Sequence, residues 1–198
     1  MSRLEAALAG LDRDLRKAGV GWAIVGGLAV SVRSEPRFTR DIDAVVAVPD
    51  DTAAEALVRR LLGEGYRVVA TLEQEAKGRL ATVRLSPPGE SAPGVVVDLL
   101  FASSGIEAEV VAAAERVEIA EQLVFPVARI DALIALKVLS RDDAERPQDL
   151  LDLRSLQRAA TATDLEGARD LLRMIESRGF ARGRRLIEEF DRLLGLRP

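Results

Sequence analysis

Leu4, Ala7, Leu8, Leu11 and Leu15 fall on one face of a 3.6-residue period, so the pattern predicts an opening helix that Gly19 closes as its C-cap. Trp22-Ala-Ile-Val25 has no polar interruption and suits a short buried strand ending at Gly26-Gly27. Leu28 to Val32 reads as a short helix stopped ahead of Pro36, because a residue preceding proline is pushed out of the helical region. Asp41 to Val48 is a second strand. Asp50 is placed to cap a helix through Ala54, Leu57, Leu61 and Leu62 that ends near Gly63 and Gly65. Tyr66 to Leu72 and Leu80 to Leu85 form a hairpin with Glu73 to Arg79 as its turn; residues 87–94 are a loop and Val95 to Phe101 a further strand.

Beyond that point the pattern changes. Ile106 to Ala114 reads as a short helix and Val117 to Val127 as one or two short strands. From Ile130 onward helix follows helix. Thr163-Asp-Leu-Glu166 has the capping-box form ahead of Leu171, Leu172 and Ile175, and Ala181 to Leu194 reads as a last amphipathic helix. The expectation is an α/β (α+β) region over residues 1–127 and a C-terminal helical region over 128–198.

Composition narrows the chemistry. Of the 198 residues 48% are hydrophobic and 30% charged, enough to bury a core. With neither histidine nor cysteine in the chain, Ser-His-Asp catalysis, thiolate nucleophiles and the common zinc sites are excluded. Carboxylates, Lys, Arg, hydroxyls and backbone amides must do the work. The net charge of -4 argues against a protein that coats nucleic acid, though not against a local basic patch. Ala18 to Val32 is shorter than the ~20 apolar residues of a spanning helix, and the first residues carry charge throughout with no signal-peptide core. A cytoplasmic protein with no membrane partner is expected.

Asp41 and Asp43 head an apolar strand, two residues apart and so on one face. Such a pair is a solvated strand end, a cap beside Arg40, or a site for a divalent cation that relieves its repulsion. Asp98 lies inside Val95-Val-Val-Asp-Leu-Leu-Phe101, where a carboxylate needs a reason. It is either bonded to an arginine such as Arg33 or Arg40, or a third carboxylate joining the first two for two-metal phosphoryl chemistry. Gly26-Gly27 is a tight turn, or a place where backbone can approach phosphate at a helix N-terminus. Lys137 is an unexpected cation in an apolar helix: it either snorkels to the surface or neutralises triphosphate. Arg178, Arg182, Arg184 and Arg185 form a basic cluster interleaved with acids, either a solvated face or a surface for RNA phosphates.

Taken together, Gly26-Gly27, Arg33, Thr39-Arg40-Asp41-Ile-Asp43 and Asp98 resemble the polymerase-β-like nucleotidyltransferase superfamily, and the run GGLAVSVRSEPRFTRDID is closest to the AbiEii/AbiGii-type toxins. The resemblance covers residues 20 to 101. It implies a minimal nucleotidyltransferase core with a short mixed sheet and flanking helices, followed by a helical bundle. It implies Mg²⁺ or Mn²⁺ on Asp41, Asp43 and Asp98, and NTP contacts from Gly26, Gly27, Arg33, Thr39 and Arg40. Lys137 is a further catalytic candidate. Similar toxins follow that lysine with an Arg-rich stretch and paired acids; here the stretch offers Arg141, Arg146, Asp149 and Asp152, with Gln148 where such toxins often have Lys. The implied acceptor is tRNA or another RNA, with a cognate antitoxin. The alternatives are an aminoglycoside-type small-molecule nucleotidyltransferase and a degenerate nucleotide-binding or protein-interaction module.

Overall fold

The computed structural model describes residues 1–74, 78–90, 94–142 and 147–195. Arg146, part of the hairpin turn and part of the proline-rich loop lie outside the described residues. A helix, α1 (Arg3–Ala18), opens the chain; Ser2 and Glu5 close a reciprocal capping box at its start, and Gly19 ends it in the left-handed conformation at φ 71°. Leu8, Leu11 and Leu15 on its inner face are buried.

Among the described residues seven strands build one mixed sheet: β1 (Gly21–Val25), β2 (Asp41–Ala47), β3 (Arg67–Gln74), β4 (Arg79–Ser86), β5 (Val96–Leu100), β6 (Glu115–Ala120) and β7 (Leu123–Val127), in the order β3-β4-β5-β2-β1-β7-β6. The central strands are the apolar ones. Trp22, Ala23, Ile24 and Val25 of β1, Ile42 and Ala44 to Val46 of β2, and Val97 and Leu99 of β5 are all buried. β2 runs antiparallel to β1 and parallel to β5, and the register sets Asp43 beside Asp98. At the outer edge β3 pairs only with β4 in this sheet, and every residue from Arg67 to Glu73 is exposed. The ladder slips there twice, between Val68 and Ala70 and between Leu72 and Glu73.

Between strands run α2 (Gly26–Arg33), α3 (Asp51–Gly63), whose first turn is capped by Asp50, and α4 (Glu107–Ala112). After the sheet come α5 (Ile130–Ser140), α6 (Pro147–Ala159), α7 (Ala162–Ser177) and α8 (Leu186–Leu193). Helix α5 carries almost nothing but apolar residues and is buried because α6, α7 and α8 surround it, while α2 packs on both α5 and α6. This α2–α5–α6 contact joins the helical region to the strand that bears the paired acids. No helix of the described residues is long and apolar enough to cross a membrane.

Two expected boundaries move. The capping box of α7 is Thr161 with Asp164, not Thr163 with Glu166. Helix α6 ends at Ala159, so the turn falls at residues 160–161 and Thr161 is the side chain left at the N-cap. The last helix begins at Leu186, not Ala181, because Arg182 and Gly183 take positive φ angles of 55° and 72° that no helix admits.

Candidate active site

The site is built where β1 turns into α2. Gly26 begins the helix at φ 61°, a conformation other residues adopt at a cost. A Cβ there would stand 1.9 Å from Asp43 Oδ2, so the glycine is what lets the carboxylate lie against the turn. The Gly27 amide donates a hydrogen bond to Asp43. Val25, the N-cap residue, offers no side-chain acceptor, so apart from the Gly27 amide that Asp43 takes, the first turn of α2 carries no side-chain cap.

Asp41 and Asp43 project from one face of β2, and Asp98 from the adjoining position of β5. Burial pushes the Asp43 carboxyl up to about 6, reinforced by the negative charges of Asp98 and Asp41 and opposed by Lys137 and the Gly27 amide. The Asp98 carboxylate is held by Arg84 of β4, through Nε at 2.8 Å and Nη2 at 2.6 Å. Neither Arg33 nor Arg40 is that partner. Among the described residues no three acidic side chains are grouped closely enough to hold a metal ion.

Lys137 does not snorkel. Its Nζ lies 2.6 Å from Asp149 Oδ1 and 2.9 Å from Asp152 Oδ2, with only 13% of the side chain exposed. Asp152 is gripped again by Arg37, whose Nε is 2.8 Å from Oδ1. Arg37 also lies over the glycine turn, since a Cβ on Gly27 would meet its Nη2 at 2.4 Å. Burial opposes ionisation of Asp152, but hydrogen bonds from Gln148, Lys137 and Arg37 hold its carboxyl below the usual range. An ionic chain thus runs Asp149–Lys137–Asp152–Arg37 to Gly27, linking α5 and α6 to the turn.

The other candidates are dispersed. Arg33 turns away to the end of β7, donating to the carbonyls of Val127 and Ala128 and pairing with Glu115 at 2.8 Å. Thr39 Oγ1 donates to the Asp41 carbonyl at 3.4 Å. Arg40 is exposed and stacks over Phe38, 5.2 Å from its ring centroid. Phe38 is itself 76% exposed, one residue beyond Arg37.

The basic cluster is not one surface. Arg178 forks onto Glu109 of α4, Arg185 pairs with Glu188, and Arg182 donates to the Ser103 carbonyl. Arg184 pairs with Glu189 and donates to the carbonyls of Val138 and Leu139, closing the end of α5. Sequence reasoning passed over Arg37, Arg84 and Phe38. Arg37 sits in the Arg33–Arg40 run and could have been weighed with it. The charge of Arg84 between Val83 and Leu85 reads as an ordinary solvent-facing strand position, and only the register reveals its partner.

A family profile described as "Nucleotidyl transferase AbiEii toxin, Type IV TA system" matches residues 11–196. No curated protein matches the chain. Among solved structures, an antigenic nucleotidyltransferase-like protein from Paracoccidioides brasiliensis superposes with a TM-score of 0.56 at 17% identity, over 98% of this chain and 92% of that one. ANT(2")-Ia in complex with adenylyl-2"-tobramycin superposes at 0.58 with 16% identity, over 89% and 99%. At these identities the likeness is one of fold.

Proposed function

This chain belongs to the AbiEii nucleotidyl transferase toxin family and is a nucleotidyltransferase; from that premise we propose that it uses Mg²⁺ or Mn²⁺ to move a nucleoside monophosphate from an NTP to an RNA hydroxyl. The observation that carries the reading is the meeting of Asp43 with the first turn of α2. A cation at the carboxylate and a phosphate at the helix amides would be neighbours there.

The donor set suits such an ion in kind, being all hard carboxylate oxygen on one face of the sheet. It also suits it in charge, since the raised Asp43 carboxyl is one that a cation would return to its ionised form. Asp41, Asp43 and Asp98 are the residues that would hold it. Bound there, the ion would screen the triphosphate and polarise the α-phosphorus.

The chain's own groups supply the rest. The Gly26–Gly27 turn receives the triphosphate, and the Lys137 chain fixes that turn against α5 and α6. The acceptor oxygen bonds to the α-phosphorus as the bond from that phosphorus to the bridging oxygen breaks. Pyrophosphate leaves, and the acceptor proton passes to Asp98. The exposed face of Phe38, flanked by Arg40, supports a nucleic-acid acceptor, because an aromatic ring beside an arginine stacks an unpaired base. The toxin–antitoxin pairing named for the family implies a cognate antitoxin here as well.

The test incubates the protein and an Asp41→Asn/Asp43→Asn variant with each α-labelled NTP, Mg²⁺, total RNA and a panel of aminoglycosides. Label in RNA, absent with the variant, is expected. Label only in an aminoglycoside would overturn the acceptor, and no transfer in any combination would favour a degenerate binding module.

A further inference from the structure

Arg84 and Asp98 stand directly opposite each other in the β4–β5 ladder, and Asp98 stands opposite Asp43 in the β2–β5 ladder. Opposed residues share a face, so the guanidinium and all three carboxylates project into the same space. The contact is a fork, Nε to Oδ1 at 2.8 Å and Nη2 to Oδ2 at 2.6 Å, which occupies both oxygens of Asp98. Asp98 holds the Arg84 guanidinium above the usual arginine range, and the charges of Asp41 and Asp43 add to that. Lys137, whose charge also reaches Asp43, has its ammonium committed to Asp149 and Asp152. Among the described residues no three acids gather as a metal site, although three share one face.

We propose that Arg84 is a resident cation that takes the metal's place at Asp98 and releases that carboxylate when nucleotide arrives, its guanidinium passing to the triphosphate. This rests on the metal-dependent nucleotidyl transfer proposed above. The side chain of Arg84 is 45% exposed, so it can swing without unpacking the core, whereas Asp98 is buried and stays in place. A triphosphate offers the same planar fork a replacement anion. Metal alone must compete with the guanidinium for Asp98. Metal with nucleotide does not, so each ligand strengthens the other.

The experiment counts free Mn²⁺ by electron paramagnetic resonance, with and without a non-hydrolysable NTP analogue. It compares the wild type with Arg84→Gln, Arg84→Lys and Asp41→Asn/Asp43→Asn. In the wild type the analogue is expected to tighten Mn²⁺ binding roughly tenfold or more. Arg84→Gln should bind Mn²⁺ alone more tightly than the wild type binds it alone, and the analogue, left with only its own phosphate ligands to offer, should tighten it by a smaller factor than in the wild type. Arg84→Lys, which keeps the charge and loses the fork, should fall between; it carries the test if Arg84→Gln fails to fold. Substitutions of Arg84 that leave both affinity and coupling at wild-type values would overturn the proposal. If Asp41→Asn/Asp43→Asn abolishes binding in the same series, the metal reading survives that failure. Wild-type protein that binds no Mn²⁺ with the analogue present would overturn both.

Discussion

Below about pH 6 Asp43 keeps its proton in the folded protein, whereas the same carboxyl in the unfolded chain ionises near pH 4. The native state therefore holds the extra proton between those values, and stability falls as pH rises through the window. Above it the ionised carboxylate opposes folding by on the order of 3 kcal/mol in metal-free protein. Asp43→Asn retains an oxygen for the Gly27 amide and cannot ionise. It is expected to melt higher than the wild type at pH 7 and about equally at pH 4, by calorimetry in EDTA. An equal difference at both pH values would show that burial does not act on this carboxyl. Lys137 behaves differently because its partners are buried with it. Lys137→Ala leaves Asp149 and Asp152 facing each other, and breaking such a pair costs about 3 kcal/mol. Urea denaturation should show that loss, and Asp149→Asn added to Lys137→Ala should recover part of it. Loss of activity in Lys137→Ala alone would therefore not identify a substrate contact.

Helices and strands were largely readable because each is governed by neighbours in sequence. The 3.6-residue spacing in α1, the unbroken apolar run of β1, the run of β5 broken only by Asp98, and the Asp50 cap are all local signals, and each element lies where its pattern puts it. The glycine pair and the two acids of β2 were readable too, since spacing places them at one strand–turn–helix junction. What the chain could not disclose was partnership across elements. Asp98 finds Arg84 through strand register, and Arg178 finds Glu109 across 69 residues. Four arginines close in sequence therefore read as one basic surface, while the fold sends each to a separate anchor. The α7–α8 turn is the place to see the difference. Arg178→Gln with Arg184→Gln removes a fork to α4 and the closure of α5, and is expected to lower the melting temperature by several degrees. The salt dependence of RNA binding should stay unchanged. A flattened salt slope at constant stability would restore the RNA-surface reading of these residues.

At the scale of the molecule, the sheet brings distant segments to one centre: β2 and β5 carry the acids, β4 the arginine that meets them, and β1 the turn that closes on Asp43. The helical region is tied to that centre by salt bridges as well as by packing, so rotation of α6 relative to α2 would pull Arg37 from Asp152. At the far edge, β3 bares its backbone along eight residues, with Val68, Val69 and Leu72 in water. Such an edge is a template on which further chains could polymerise. The extra residue at Val69 kinks it, since the ladder passes from Val68 opposite Leu85 to Ala70 opposite Arg84. Deleting Val69 should straighten the strand and give scattering that grows with concentration, where the parent stays monodisperse; a deletion variant that stays monodisperse would assign the restraint elsewhere. A surplus residue on each side of one hairpin, Val69 in β3 and Ala81 in β4, thus restores the register while breaking the flat edge from which an open-ended ribbon would grow.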